Sequence, residues 1–512
     1  MEPSDEQNIN AINQPVRLPC GLELPNRLVK AAMAPCFSID GQPSSHHHRL
    51  YRQWSRDRFG LLITENVQVC PRHLASPGDV TIQEKDNKEV PTGWEEWARV
   101  CRGTPTLVQL SHAGLQSPRG CGRPLAEPSV APSAGRLSLG TRLIDRLAAG
   151  ALFNYSREAS VHDISRIVEL FRSAALFCHS VGFQGSECFM PIIGSHTGSH
   201  GFLLSAFLSP KTNRRQDEYG MSNLNRLRIL FEIIDAIRST EGGVTMEEAL
   251  SNIKMIVSHG GIDLIEISGG TYSNFRKLYQ SPSTVQLKRE KLIILRCHQA
   301  TSKVDVVLSE AKSGKKSEEG EAYYTSFTKE AVRDIRKVAK ETGQPSPALM
   351  HTGGFRSRRG MATAITQQET DLIGLGRPAC LDPSLCAKIL DPLLPHFSCP
   401  DPPVPGVALW NLLIPVRIIG AGFKTVWSVH RSPHVKGKTI KTILKLDFFR
   451  LVFVVFRYTW QLHLMADYQP PDLGCSALGS LRVLLPLGKM QVGAAFMGSV
   501  MGAALLAWHW TS

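Results

Sequence analysis

Between about Leu18 and Ser398, short apolar runs alternate with stretches of helical periodicity, and no other feature restricts the possible folds as strongly. Seven runs read as strands: Arg27–Met33, Gly60–Glu65, Thr106–Leu110, Gly182–Cys188, Ile262–Ser268, Pro347–Thr352 and Asp371–Leu375. Most are rich in leucine or β-branched residues and lead straight into Gly, Ser, Thr or Asn. Strands buried on both faces have this texture, and helices packed on a parallel sheet are what bury both faces. The helical stretches include His162–Val181, Leu224–Ser239, Thr245–Gly260 and Phe327–Thr342. The first carries Asp163 in its opening turn and sets Ile164, Ile167, Val168, Phe171 and Ala175 along one face. The expected class is therefore α/β with repeated βα units. A closed (β/α)8 barrel requires eight strands, one more than the seven legible here.

Composition narrows the classes further. Of 512 residues, 42% are hydrophobic and 20% charged, which excludes global disorder and a polytopic membrane protein. Twelve cysteines are scattered from Cys20 to Cys475 without a paired CxxC array, and the N-terminus is acidic and polar, so they read as reduced intracellular thiols. The net charge is +13, but from Asp401 onward there are 11 basic and 4 acidic residues, so much of the excess lies in an apolar tail. That pairing points to a membrane surface and away from nucleic acid. The expected organisation is a folded domain over 15–398, a basic amphipathic tail over 399–490 that begins with the Pro-rich Asp401–Pro405, and a candidate membrane anchor over 491–510. Val492–Trp510 holds no Asp, Glu, Lys or Arg. A helix of about twenty such residues spans the hydrocarbon core.

Seven segments carry a family resemblance. They are NRLVKAAMAP (Asn26–Pro35), FGLLITENVQV (Phe59–Val69), LVQLSHAG (Leu107–Gly114), HGFLLSAFLSPKTNRRQDEYG (His200–Gly220), GIDLIEISGGTY (Gly261–Tyr272), HTGGFRS (His351–Ser357) and DLIGLGRP (Asp371–Pro378). In this order they closely resemble the Old Yellow Enzyme-type NADH:flavin oxidoreductases. The resemblance implies an FMN-binding (β/α)8 TIM barrel over 15–398 that takes hydride from NADH or NADPH and passes it to an activated alkene.

It also implies roles for particular residues. Gln109 matches the glutamine that bonds the pyrimidine side of the flavin. Met33, Ala34 and Pro35 match the segment running beside it. Gly353 and Gly354 after one late strand, with Gly376 and Arg377 after the next, match the phosphate site. Glycines let backbone N–H groups approach a phosphate, and an arginine offers paired donors. For the substrate carbonyl or nitro oxygen the resemblance implies two polar side chains. His200 takes the second position, and His196 and Thr197 both remain open for the first. Phe202 stands where many relatives carry a proton-donating tyrosine, so proton delivery falls to water or another acid.

The chain departs from the family in four places. Phe37 replaces a Thr or Cys that tunes the flavin, unless Cys36 substitutes. Phe189–Ser195 and Gln286–Lys316 read as insertions. Only Thr240–Thr245 stands where about twenty residues, strand five included, are expected. A replacement strand from the LIIL and VDVVL runs of Gln286–Lys316 would restore the count. Other motifs are weak. Ile418–Val426 opens like a dinucleotide fingerprint but has Thr425 at the third glycine position. Cys188, His196 and His200 fit no usual zinc spacing. Cys380, Cys386 and Cys399 do not match an iron–sulfur run. His46–His48 reads as a solvated loop. The resulting expectation is an ene-reductase-type enzyme acting on a small hydrophobic, enone or polyketide-like substrate in secondary metabolism. The alternative is an impaired, membrane-associated flavin scaffold.

Overall fold

The computed structural model describes residues 3–35, 37–82, 92–138, 143–183, 185–188, 202–238, 257–260, 262–267 and 325–399. The chain opens with the helix Asp5–Ile12, which a capping box fixes: Ser4 Oγ accepts the Gln7 N–H, and Gln7 Oε1 accepts the Ser4 N–H. Ile9 and Ile12 of this helix enter the main core. Next comes a small antiparallel hairpin, β1 (Val16–Arg17) and β2 (Glu23–Leu24), with Gly21 at φ 89° in its turn.

Seven strands then build one parallel sheet: β3 (Leu28–Lys30), β4 (Leu61–Gln68), β5 (Thr106–Ser111), β8 (Gly185–Cys188), β9 (Leu264–Ile267), β10 (Ala348–Thr352) and β11 (Leu372–Leu375). The pair β6 (Val130–Ala131) and β7 (Arg157–Glu158) lies outside it. The spatial order is β8-β5-β4-β3-β11-β10-β9. All seven runs read as strands from sequence are therefore strands, shifted by a few residues at their ends. Neighbours in the sheet follow the chain except at one seam, where the first and last of the seven meet, with Leu375 opposite Lys30. Among the described residues nothing lies between β8 and β9. The sheet is a curled parallel sheet closed across that seam. Thr240–Thr245 and both insertions lie outside the described residues.

Alternation along the strands separates two faces. Leu28, Leu62, Val108, Leu110, Ile373 and Leu375 pack with Trp54, Trp97, Ile164 and Phe171 of the covering helices. Val29, Leu61, Ile63, Met350 and Leu372 form a second cluster on the other face, joined by Leu18 and Leu24 of the hairpin. The hairpin thus fills the inner face of the curl.

The covering helices match expectation at Val161–Ser180, Asn223–Arg238 and Thr325–Thr342. Of Thr245–Gly260, only residues 257–260 are described. Ser160 and Asp163 form a capping box at the start of Val161–Ser180, and Arg157 grips the Asp163 carboxylate at 2.7 and 2.8 Å. One expectation is overturned. His46–His48 lies in the helix Ser45–Arg56 rather than in a solvated loop, and His47 is fully buried. Its Nδ1 accepts the Ser44 N–H at 2.9 Å, so the proton sits on Nε2, which meets Glu65 Oε1. The partner sits on another strand, which is why local polarity misled. Among the described residues no helix is long and apolar enough to cross a membrane. The tail over 400–512, including Val492–Trp510, lies outside the described residues.

Candidate functional site

The C-terminal ends of parallel strands share one rim, and most of the expected flavin residues lie along it. Met33, Ala34 and Pro35 follow β3, Gln109 lies in β5, Gly353 and Gly354 follow β10, and Gly376 follows β11. Adjacent strand ends bring these residues close. A Cβ on Gly376 would stand 3.0 Å from Met33 Sδ, so the ends of the seam strands touch. Gln109 is 2% exposed, and its N–H donates to Thr64 Oγ1 at 3.0 Å. Gly353 and Gly354 have φ of 110° and 96°. Side-chain-bearing residues avoid that region, and successive N–H groups in such turns converge on one side as an anion cradle. Arg377 opens the short helix Arg377–Leu381 directly after Gly376. A backbone cradle, a neighbouring arginine position and a buried amide along one rim are the donor set that an FMN phosphate and pyrimidine edge require.

The substrate side is partly described. His196, Thr197 and His200 lie outside the described residues. Phe202 precedes the helix Leu203–Leu208 and is buried against Ala75 and Ala113. Its segment is tied to the end of β5: Leu203 N–H donates to His112 O at 2.9 Å, and a Cβ on Gly114 would come 2.9 Å from Leu203 Cα. The phenyl ring therefore occupies a fixed apolar seat and carries no transferable proton.

Two buried polar groups bear on the site. Lys30, the last residue of β3, points its Nζ to the helix-covered side, donating to Ile63 O at 2.8 Å and lying 4.3 Å from the Trp54 ring centroid. Burial lowers its pKa to about 8 despite the attraction of Glu65. On the rim, Asp79 clamps the loop after β4 by accepting from Gln68 Nε2, Ala75 N–H and Ser76 Oγ. Burial pushes its pKa up to about 6 against those bonds.

Sequence reading missed a group beneath that clamp. Cys70, His73 and His112 converge at the ends of β4 and β5. Burial, and then Arg123, hold His73 at a pKa of about 3, and burial keeps His112 well below the usual imidazole range. Cys70-x-x-His73 is visible as spacing, but its meeting with His112 depends on strand order.

Comparison with known proteins fixes the family. The model of the NADH:flavin oxidoreductase / NADH oxidase family matches residues 12–262. The NADH-dependent flavin oxidoreductase iliE of Hypocrea jecorina is 32% identical over 396 residues, which is 73% of this chain and 88% of that protein. The chain belongs to this family. The protein is accordingly a flavin-dependent NAD(P)H oxidoreductase whose cofactor is FMN. A second relative, the iliE protein of Neonectria sp., is 33% identical over 408 residues, 75% of this chain; the chain spans about half (48%) of that relative's length. Among solved structures, the Old Yellow Enzyme homologue of Zymomonas mobilis superimposes with a TM-score of 0.51 at 19% identity, over 76% of this chain and 94% of that one. This likeness places the curled seven-strand sheet within the (β/α)8 barrel fold.

Proposed function

We propose that this flavin oxidoreductase reduces the activated double bond of a small hydrophobic enone, polyketide-like in shape, with NADH or NADPH as reductant. The observation that carries the reading is the rim itself: paired left-handed glycines at 353–354, Gly376 against Met33, and buried Gln109. In this reading Gly353, Gly354, Gly376 and Arg377 hold the phosphate, Gln109 bonds the pyrimidine edge, and the backbone of Met33–Pro35 lies alongside. When bound, FMN supplies the hydride relay between nicotinamide and alkene. His200, with His196 or Thr197, orients the substrate oxygen and stabilises the charge that develops on it. The polyketide-like substrate and a place in secondary metabolism belong to the proposal, as does a membrane anchor at Val492–Trp510.

A second reading, a flavin-binding scaffold without turnover, draws on the short Thr240–Thr245 stretch where strand five is expected and on the apolar seat of Phe202. Anaerobic stopped-flow separates the two. The enzyme reading expects flavin reduction by NAD(P)H followed by reoxidation with an enone. Phe202→Tyr should then speed the second half-reaction by up to ~10²-fold and leave the first unchanged. Flavin that stays reduced in the presence of a broad enone panel would leave the scaffold reading.

A further inference from the structure

Cys70, His73 and His112 sit on the same rim but are not among the residues assigned to flavin or substrate, and their donor atoms all lie within 4.8 Å of one another. Two adjacent loops bring them together. β4 and β5 run side by side with Gln68 opposite Ser111, and Val69 N–H donates to Ser111 O at 2.8 Å, so the chain leaves both strands at the same place. Cys70 and His73 share one turn, closed by His73 N–H donating to Cys70 O at 3.0 Å. Cys70 Sγ lies 3.3 Å from His73 Nδ1, and the two imidazoles stack at 4.7 Å between centroids. His73 is 9% exposed, yet its Nε2 is buried with no hydrogen-bond partner. A ligand would relieve a polar atom left so.

We propose that Cys70, His73 and His112 form a three-donor site for a borderline-soft divalent cation of the zinc class, with the fourth position left for water or a substrate atom. One thiolate and two imidazoles are the donor chemistry of zinc, whereas magnesium and calcium want oxygen. Zinc bonds of about 2.0–2.3 Å set donor atoms roughly 3.3–3.7 Å apart, so closure asks for a contraction of about one ångström shared among three side chains. His112 Nδ1 now accepts the Gly114 N–H at 3.1 Å. Coordination through Nε2 moves the ring proton to Nδ1 and gives up that bond. Arg72 and Arg123 stand nearby, but Arg72 is held by Glu127 at 2.5 and 2.6 Å and Arg123 by Ser117 O and Oγ. Their positive charge opposes a bare cation, and the negative charge of a coordinating Cys70 sulfur would offset it.

The test uses full-length flavin-loaded protein treated with chelator and titrated with cobalt(II), then with zinc. Cobalt should bind one per chain and produce tetrahedral d–d bands in the red, beyond the flavin absorption, and zinc should displace it. Cys70→Ser and His73→Ala should each weaken binding by at least about tenfold, with flavin content unchanged. Zinc should also protect Cys70 of the wild-type protein from alkylation, read by peptide mass spectrometry, which does not depend on any variant folding. Absence of the red bands together with unprotected Cys70, or equal affinity in wild type and both variants, overturns the proposal.

Discussion

The two sides of the sheet are built differently. At the seam, β3 and β11 are held by partners from opposite ends of the chain. Arg27 Nη1 donates to Asp371 O at 2.9 Å across 344 positions, Trp54 Nε1 to Ala379 O at 3.0 Å, and Asp57 accepts the N–H groups of Cys386 and Ala387. Arg358, 1% exposed, donates to the carbonyls of Lys388, Ile389, Asp391 and Leu394 and fastens the last described turns to the core. On the far side, β8 pairs only with β5 and β9 only with β10 among the described residues. The left-handed pair Gly353 and Gly354 follows β10, the neighbour of β11 on the tied side. The side with the dense long-range bonds is therefore the one expected to resist local opening.

The largest expected effect tests the tied side. Arg358→Ala leaves four carbonyls without their donor and should cost about 3–5 kcal/mol in denaturant unfolding; a loss under about 1 kcal/mol would show that the seam does not depend on that anchor. Hydrogen exchange compares both sides directly. Amides of β8 and β9 should exchange on the order of a hundredfold faster than those of β3 and β11. Equal protection would mean that the contrast between the two sides is false. Next in size, Arg377→Ala should lower FMN affinity about ten- to hundredfold, a charge-assisted contact of roughly 1.5–3 kcal/mol. Fluorescence titration with unchanged affinity would remove Arg377 from the phosphate site. The smallest effect concerns a helix on the open side. Ser160→Ala breaks the capping box of Val161–Ser180 and should cost about 1 kcal/mol, visible as a slight drop in Tm without loss of flavin.

The secondary-structure elements are written into the chain locally. Periodicity and strand-end chemistry are local, so all seven strands and the helix Val161–Ser180 with Asp163 at its start were legible, as were the glycine pairs. A motif order held along the chain likewise carried the family. The helix Asp5–Ile12 had a readable signal in the Ser4/Gln7 box but too short an apolar face to stand out. Which residues meet follows from the packed fold alone. It set Met33 against Gly376, turned Lys30 to the helix-covered face, buried His47 on Glu65, seated Phe202 on Ala75 and Ala113, and brought His112 to Cys70 and His73. Side-chain neighbours across strands follow from sheet order and register, which depend on the summed packing of residues hundreds of positions apart and leave no periodic trace in any one segment.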